Sequence, residues 1–224
     1  MLALYYADLK RELLSVRSLI TIALMVWVAI GMSKISGALG GGAGLQMSSL
    51  LAIYAFFAPF FVGLVFSGIF AYDMETQAIR YVLPFMRRAQ IFAAKYLAII
   101  TYFLVVVVVS LVVVAVSGHR IEFDGRSLLV LVLSYMYCAA LTCLVSIVLG
   151  RQRPAMFVSL VLGACLPALG VMAAIWSAKP VWKVVGYLLP FDYFDLPVSH
   201  AAILAVIVVV LSATGLVLFD RKDL

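Results

Sequence analysis

Charge is scarce in this chain, and it is missing where several kinds of chemistry would need it. Only 12% of the 224 residues are charged, against 67% hydrophobic. No Asp, Glu, Lys or Arg lies in the middle of any of six apolar stretches, at about 18–35, 48–71, 96–117, 127–149, 155–176 and 199–218. Ionisable groups inside a bilayer mark proton relays, ion sites and voltage sensors. Their absence argues against a proton-coupled pump and against an intramembrane metalloprotease or aspartyl protease. The motifs HExxH and GxSxG are also missing, as is any loop grouping of His, Asp and Ser that suggests catalysis. The glycine run GALGGGAG at 37–44 has no Lys-Ser or Lys-Thr after it, so it reads as a flexible loop rather than a phosphate cradle. Three cysteines, Cys138, Cys143 and Cys165, fall within apolar stretches at a spacing that fits no metal site. They read as small apolar residues.

What is present is hydrocarbon in membrane-length pieces. The mean hydropathy is +1.21, and a helix crossing about 30 Å of lipid needs roughly 20 apolar residues. Backbone groups in lipid must bond within each segment, so the six runs are expected to be helices. The short alternating strands of a membrane barrel are absent. The expectation is an all-α polytopic membrane protein, residues 1–224 forming one transmembrane domain in the lipid bilayer.

Of sixteen Lys and Arg, eleven fall on the side that holds both termini and five on the other. Basic residues in short loops mark the cytoplasmic side, so both termini are expected in the cytoplasm of a cell-membrane protein. This charge balance needs no nucleic acid to explain it. Residues 1–17 precede the first span. Leu2, Tyr5, Tyr6, Leu9, Leu13 and Val16 recur there at helical spacing, with Asp8, Arg11, Glu12 and Arg17 assigned to other faces. That pattern predicts an amphipathic helix in the headgroup region.

Two stripes are candidates for lining a solute path. The second span carries Tyr54, Phe57 and Phe61 among eight aromatic residues, and the fourth carries Ser134, Cys138, Thr142 and Ser146 at intervals of four. Ser134 and Thr142 could face a wet cavity, and small polar residues also let helices pack closely. Both readings stand on the sequence. The proline-broken, apolar segment 177–199 suits short outer helices at the membrane surface. His119 and His200 read as interfacial.

One stretch reverses the scarcity of charge. Residues 72–96, YDMETQAIRYVLPFMRRAQIFAAKY, hold six charged side chains between two apolar runs on the expected inner side. They offer an acidic start (Asp73, Glu75), a helical run from Ala78 to Leu83 containing Arg80, a break at Pro84, then Arg87, Arg88 and Lys95. This resembles the type-2 ATP-binding-cassette (ABC) permease family, which carries an acidic E-x-E-x-G-T-like start, L-R-x-L-L, a proline, an arginine and a lysine seven residues later. The family's Gly-Thr stands here as Gln77-Ala78, and one extra residue separates Pro84 from Arg88. The ending FDRKDL at 219–224 is similar to the family's F-x-R-R-D-hydrophobic finish.

The resemblance implies a permease subunit of the exporter type. It would pair with itself or a close relative and be driven by separate cytoplasmic ATPase subunits that bind the ATP. The chain would need no cofactor and perform no covalent chemistry. A coupling helix between spans two and three would carry Asp73, Glu75, Arg80, Pro84, Arg87 and Arg88 toward the ATPase. Two rivals stay open on sequence: a membrane-embedded lipid-modifying enzyme, for which Asp192 and Asp195 are the outer acidic pair, and a nontransporting scaffold or immunity protein.

Overall fold

The computed structural model describes residues 2–38, 43–116, 125–176, 179–191, 193 and 198–222. Those residues are helical almost throughout, with no strand among them. The long helices are α2 (Val16–Ala38), α3 (Ala43–Phe66), α6 (Arg88–Val116), α7 (Gly125–Leu149), α8 (Gln152–Ile175) and α10 (Val198–Asp220). Shorter ones are α1 (Leu2–Leu13), α4 (Ala71–Glu75), α5 (Ala78–Val82) and α9 (Pro180–Leu188). By length and composition five described stretches can cross a membrane alone. The pair α1–α2, bent by 64°, makes up to six. The bend falls at Leu14 and Ser15, where the Ser15 hydroxyl accepts the Ser18 N–H at 3.1 Å and so caps the start of α2.

α7 runs through the middle of the bundle, packed against α10, α3, α8 and α6. α3 and α8 meet closely because small residues face each other. A Cβ on Gly63 would lie 2.8 Å from the Ser159 carbonyl oxygen, and one on Gly163 would lie 2.8 Å from the Phe60 backbone. Without a strong hydrophobic force between helices in lipid, such contacts and interhelical hydrogen bonds hold a bundle together. Buried tyrosines supply several of the bonds. Tyr54 donates to the Met25 carbonyl (3.2 Å), Tyr96 to that of Met136 (2.9 Å) and Tyr102 to that of Ser18 (3.3 Å).

The boundaries differ from the sequence reading in instructive ways. The third long helix begins at Arg88, not near residue 96. Lys95 therefore lies inside it, with its side chain 1% exposed. Asp8 is also on the wrong face for the sequence reading: it is buried, while Tyr6 and Val16 are exposed. Periodicity assigned Asp8 to a polar face because a lone carboxylate belongs in water, but a buried cation compensates it here. Cys138 and Cys143 are buried, whereas Cys165 is exposed on α8. The expected outer segment contains α9, held to α8 by the edge-to-face pair Trp176–Trp182. After α9 the chain turns inward, burying Leu189, Pro190 and Tyr193. The glycines at 40–42, His119, Asp192 and Asp195 lie outside the described residues, as does the side chain of His200.

Candidate functional site

The charged stretch folds into two short helices and a turn at one end of the bundle, and the fold sorts its residues into two sets. One set is turned inward. The chain leaves α3 through a turn at 67–70, and the Ser146 hydroxyl of α7 accepts the backbone N–H groups of Phe70 (3.2 Å) and Ala71 (2.9 Å). These donors open α4, and a buried helix start requires partners for them. Asp73 on α4 then pairs with Lys95, which also reaches Asp8 at 3.2 Å and donates to the Ile69 carbonyl at 3.1 Å. Arg11 approaches Asp8 at 3.5 Å, Glu12 at 3.4 Å and Asp73 at 3.7 Å, with its guanidinium over the Tyr72 ring. An ion pair taken out of water survives only when its remaining bonding capacity is also met. Here three carboxylates, two cations and a carbonyl meet that condition together. Burial pushes the Glu12 carboxyl above its ordinary value, against the opposing pull of Arg11.

Glu75 and Arg88 are braces as well. The Glu75 carboxylate accepts the Gln152 N–H at 2.7 Å, placing a negative charge at the N-terminus of α8. Arg88, in the first turn of α6, donates to the carbonyls of Phe219 (3.3 Å), Asp220 and Lys222 (2.9 Å), which close α10. Lys222 in turn donates to the carbonyls of Ile147 and Val148 (3.1 Å) at the end of α7. Partial burial lowers the Lys222 ammonium from its ordinary value. Two cations thus satisfy orphan carbonyls at two helix C-termini. Between α7 and α8, Gly150 takes φ +62, the left-handed conformation usual just past a helix end.

The second set points away from the bundle. α5 stops at Val82 and Pro84, which has no N–H, stands in the turn that follows. Arg80, Pro84 and Arg87 are exposed, and the large rings of Tyr81 and Phe85 stand beside them at 80% and 85% exposure. Sequence reasoning had not singled out these two aromatics. The available signal was a pair of large rings flanking Pro84 in a stretch otherwise read for charge. The Arg87 N–H is taken by the Gln90 side chain at 3.2 Å, the return half of a capping box that starts α6. Between α4 and α5, Gln77 adopts φ +57. The position that aligns with the family's glycine thus takes a glycine-like conformation.

The residues read as candidate path lining separate similarly within one chain. Tyr54, Phe61, Ser134 and Thr142 are buried between helices. Ser134 donates to the Val130 carbonyl at 2.8 Å and lies 3.5 Å from that of Pro190. Phe57 is 43% exposed and packs edge-on against Phe56.

Helical spans, a buried charge lock at one end and an exposed tip beyond it define an all-α, multi-pass membrane protein. A family model described as ABC-2 type transporter matches residues 3–195. The chain belongs to this family and is a permease subunit of an ABC transporter. A comparison with curated proteins found no match.

Proposed function

We propose that this permease is half of the membrane part of an exporter in the cell membrane. It pairs with a second copy or a close relative, and two cytoplasmic ATPase subunits drive it. Both termini and the 72–95 element face the cytoplasm, in keeping with the uneven distribution of Lys and Arg. The observation that carries the coupling role is the exposed cluster Arg80, Tyr81, Pro84, Phe85 and Arg87 on an element braced from behind by Asp73, Glu75 and Arg88. A tip that receives motion needs rigid support, and aromatic and Arg anchors dominate protein contacts. ATP binding belongs to the partner, and the chain moves its solute without covalent chemistry. Tyr54, Phe57, Phe61, Ser134 and Thr142 remain the proposed path residues: Phe57 is exposed to a second permease, and the other four, buried within the chain, would reach the path when the helices around them part.

Coexpression with the cognate ATPase tests this. The Tyr81→Ala, Phe85→Ala double variant is expected to insert normally and lose ATPase copurification. Undiminished copurification and transport would remove the tip from the coupling contact. Orientation is tested separately with Arg80→Cys on a cysteine-free background. Efficient labelling of intact cells by an impermeant reagent would reverse the proposed topology.

A further inference from the structure

An open cavity of about 380 Å³ lies at the elbow between α1 and α2. Residues able to donate hydrogen bonds are prominent in its lining: Arg11, Arg17, Ser15, Tyr72 and Gln152. Glu12 is the one carboxylate in that wall, and Arg11 already pairs with it. Arg17 differs from Arg11. Among the described residues it pairs with no carboxylate, and its nearest polarisable partner is the Met156 sulfur at 3.5 Å. Arg17 is therefore the cation of that wall with no carboxylate partner among the described residues, beside a lock of three carboxylates and two cations.

The other wall is apolar, formed by Val16, Val65 and Ile69. Directly beyond the elbow, α2 exposes Val16, Leu19 and Ile20 at 71%, 54% and 58%. In a spanning helix those side chains meet acyl chains. We propose that this cavity binds the phosphate of an anionic phospholipid, with the acyl chains lying along the exposed face of α2. Arg17 is the principal charge contact, and Ser15, Tyr72 and Gln152 orient the headgroup. The chemistry recognised is a phosphate anion, and the adjoining apolar face selects a lipid over a free ion. The site does not depend on the direction of transport. Because Arg11 also reaches Asp73, the lipid lies beside the lock that braces the coupling element.

The test uses the full-length chain, purified and delipidated in detergent. It is titrated with phosphatidylglycerol, with phosphatidylcholine or with inorganic phosphate, and bound lipid is counted by native mass spectrometry. Phosphatidylglycerol is expected to be retained preferentially and to raise the melting temperature. Arg17→Gln is expected to weaken that retention about five-fold, the usual worth of one Arg or Lys at an anionic surface. Arg17→Lys should restore most of it, and Arg153→Gln, an exposed arginine outside the cavity, should change nothing. Equal retention of the two lipids, or equal retention by Arg17→Gln and the unaltered chain, would overturn the proposal. Competition by millimolar inorganic phosphate would mark a free-anion site and overturn the lipid assignment. Should Arg17→Gln fold poorly, a photoreactive phosphatidylglycerol on the unaltered chain decides. Adducts within residues 11–20 support the site, and adducts confined elsewhere refute it.

Discussion

The Lys95 ammonium lies 3.2 Å from the carboxylate of Asp8, 87 residues away in the chain, with both side chains buried. The same ammonium holds Asp73 of the 72–95 element. One cation therefore fastens the N-terminal helix and the short helix α4 to the third long helix. Lys95→Met would leave Asp8 and Asp73 buried with one cation, Arg11, and that one at arm's length. Removing one member of a buried ion pair costs about 3–5 kcal/mol. Unfolding in detergent should register a loss of that size. A loss under about 1 kcal/mol would mean that the three groups are solvated and brace nothing.

Arg87 and Arg88 are neighbours with different duties. Arg88 caps the end of α10, whereas Arg87 is exposed at the tip. Arg88→Glu should lower yield and melting temperature, because a carboxylate would face three carbonyl oxygens. Arg87→Glu should leave both unchanged and weaken ATPase association instead. A rim charge is worth little, and a buried partner contact about 2–5 kcal/mol. Paired thermal melts and copurification measure the two effects side by side. The same phenotype from both variants would contradict the division.

Gln77 sits in the left-handed region at φ +57, where a side chain costs roughly 1–2 kcal/mol. Glycine there relieves the strain and gives back part of the gain as unfolded-state entropy. Gln77→Gly should therefore stabilise the protein by about 0.5–1 kcal/mol. Gln77→Val, stiff at its first side-chain torsion, should destabilise it. If glycine destabilises, the Gln77 side chain makes a contribution that its backbone angle does not suggest.

Glu12 contributes one component of the pH dependence. Burial raises its folded-state value above the ordinary 4.5, more than Arg11 lowers it. A carboxyl raised in the folded state contributes stability that is fully present below the ordinary value and is lost as pH rises through the folded value. Melting temperature should thus fall slightly on raising the pH from about 4 upward, by a component that Glu12→Gln abolishes. Glu12→Gln should be neutral or stabilising at pH 7. Marked destabilisation at that pH would show that the Arg11 contact outweighs the cost of burial.

Hydropathy alone determined the class. Apolar runs of membrane length, with no charge at their centres, leave a helical bundle as the way to satisfy the backbone in lipid. The spacing of acidic residues, proline and arginines in 72–95 was enough to mark that stretch as special and to suggest its family. Which of those charges face inward was not legible there. Asp73 and Arg87 look alike in sequence, as charged residues in a charged loop. Asp73 is internal because Lys95 and Arg11 come to it from distant segments, and Arg88 is internal because the far end of the chain brings its carbonyls back. Asp8 was assigned to water for the same reason: helical periodicity weighs a carboxylate alone, and its partner is on another helix. The exposure of Tyr81 and Phe85 was equally hidden, since an aromatic pair in a membrane protein reads first as packing. Pairing across long sequence distances decides whether a charge or a ring is buried, and only the packed bundle supplies the pairs.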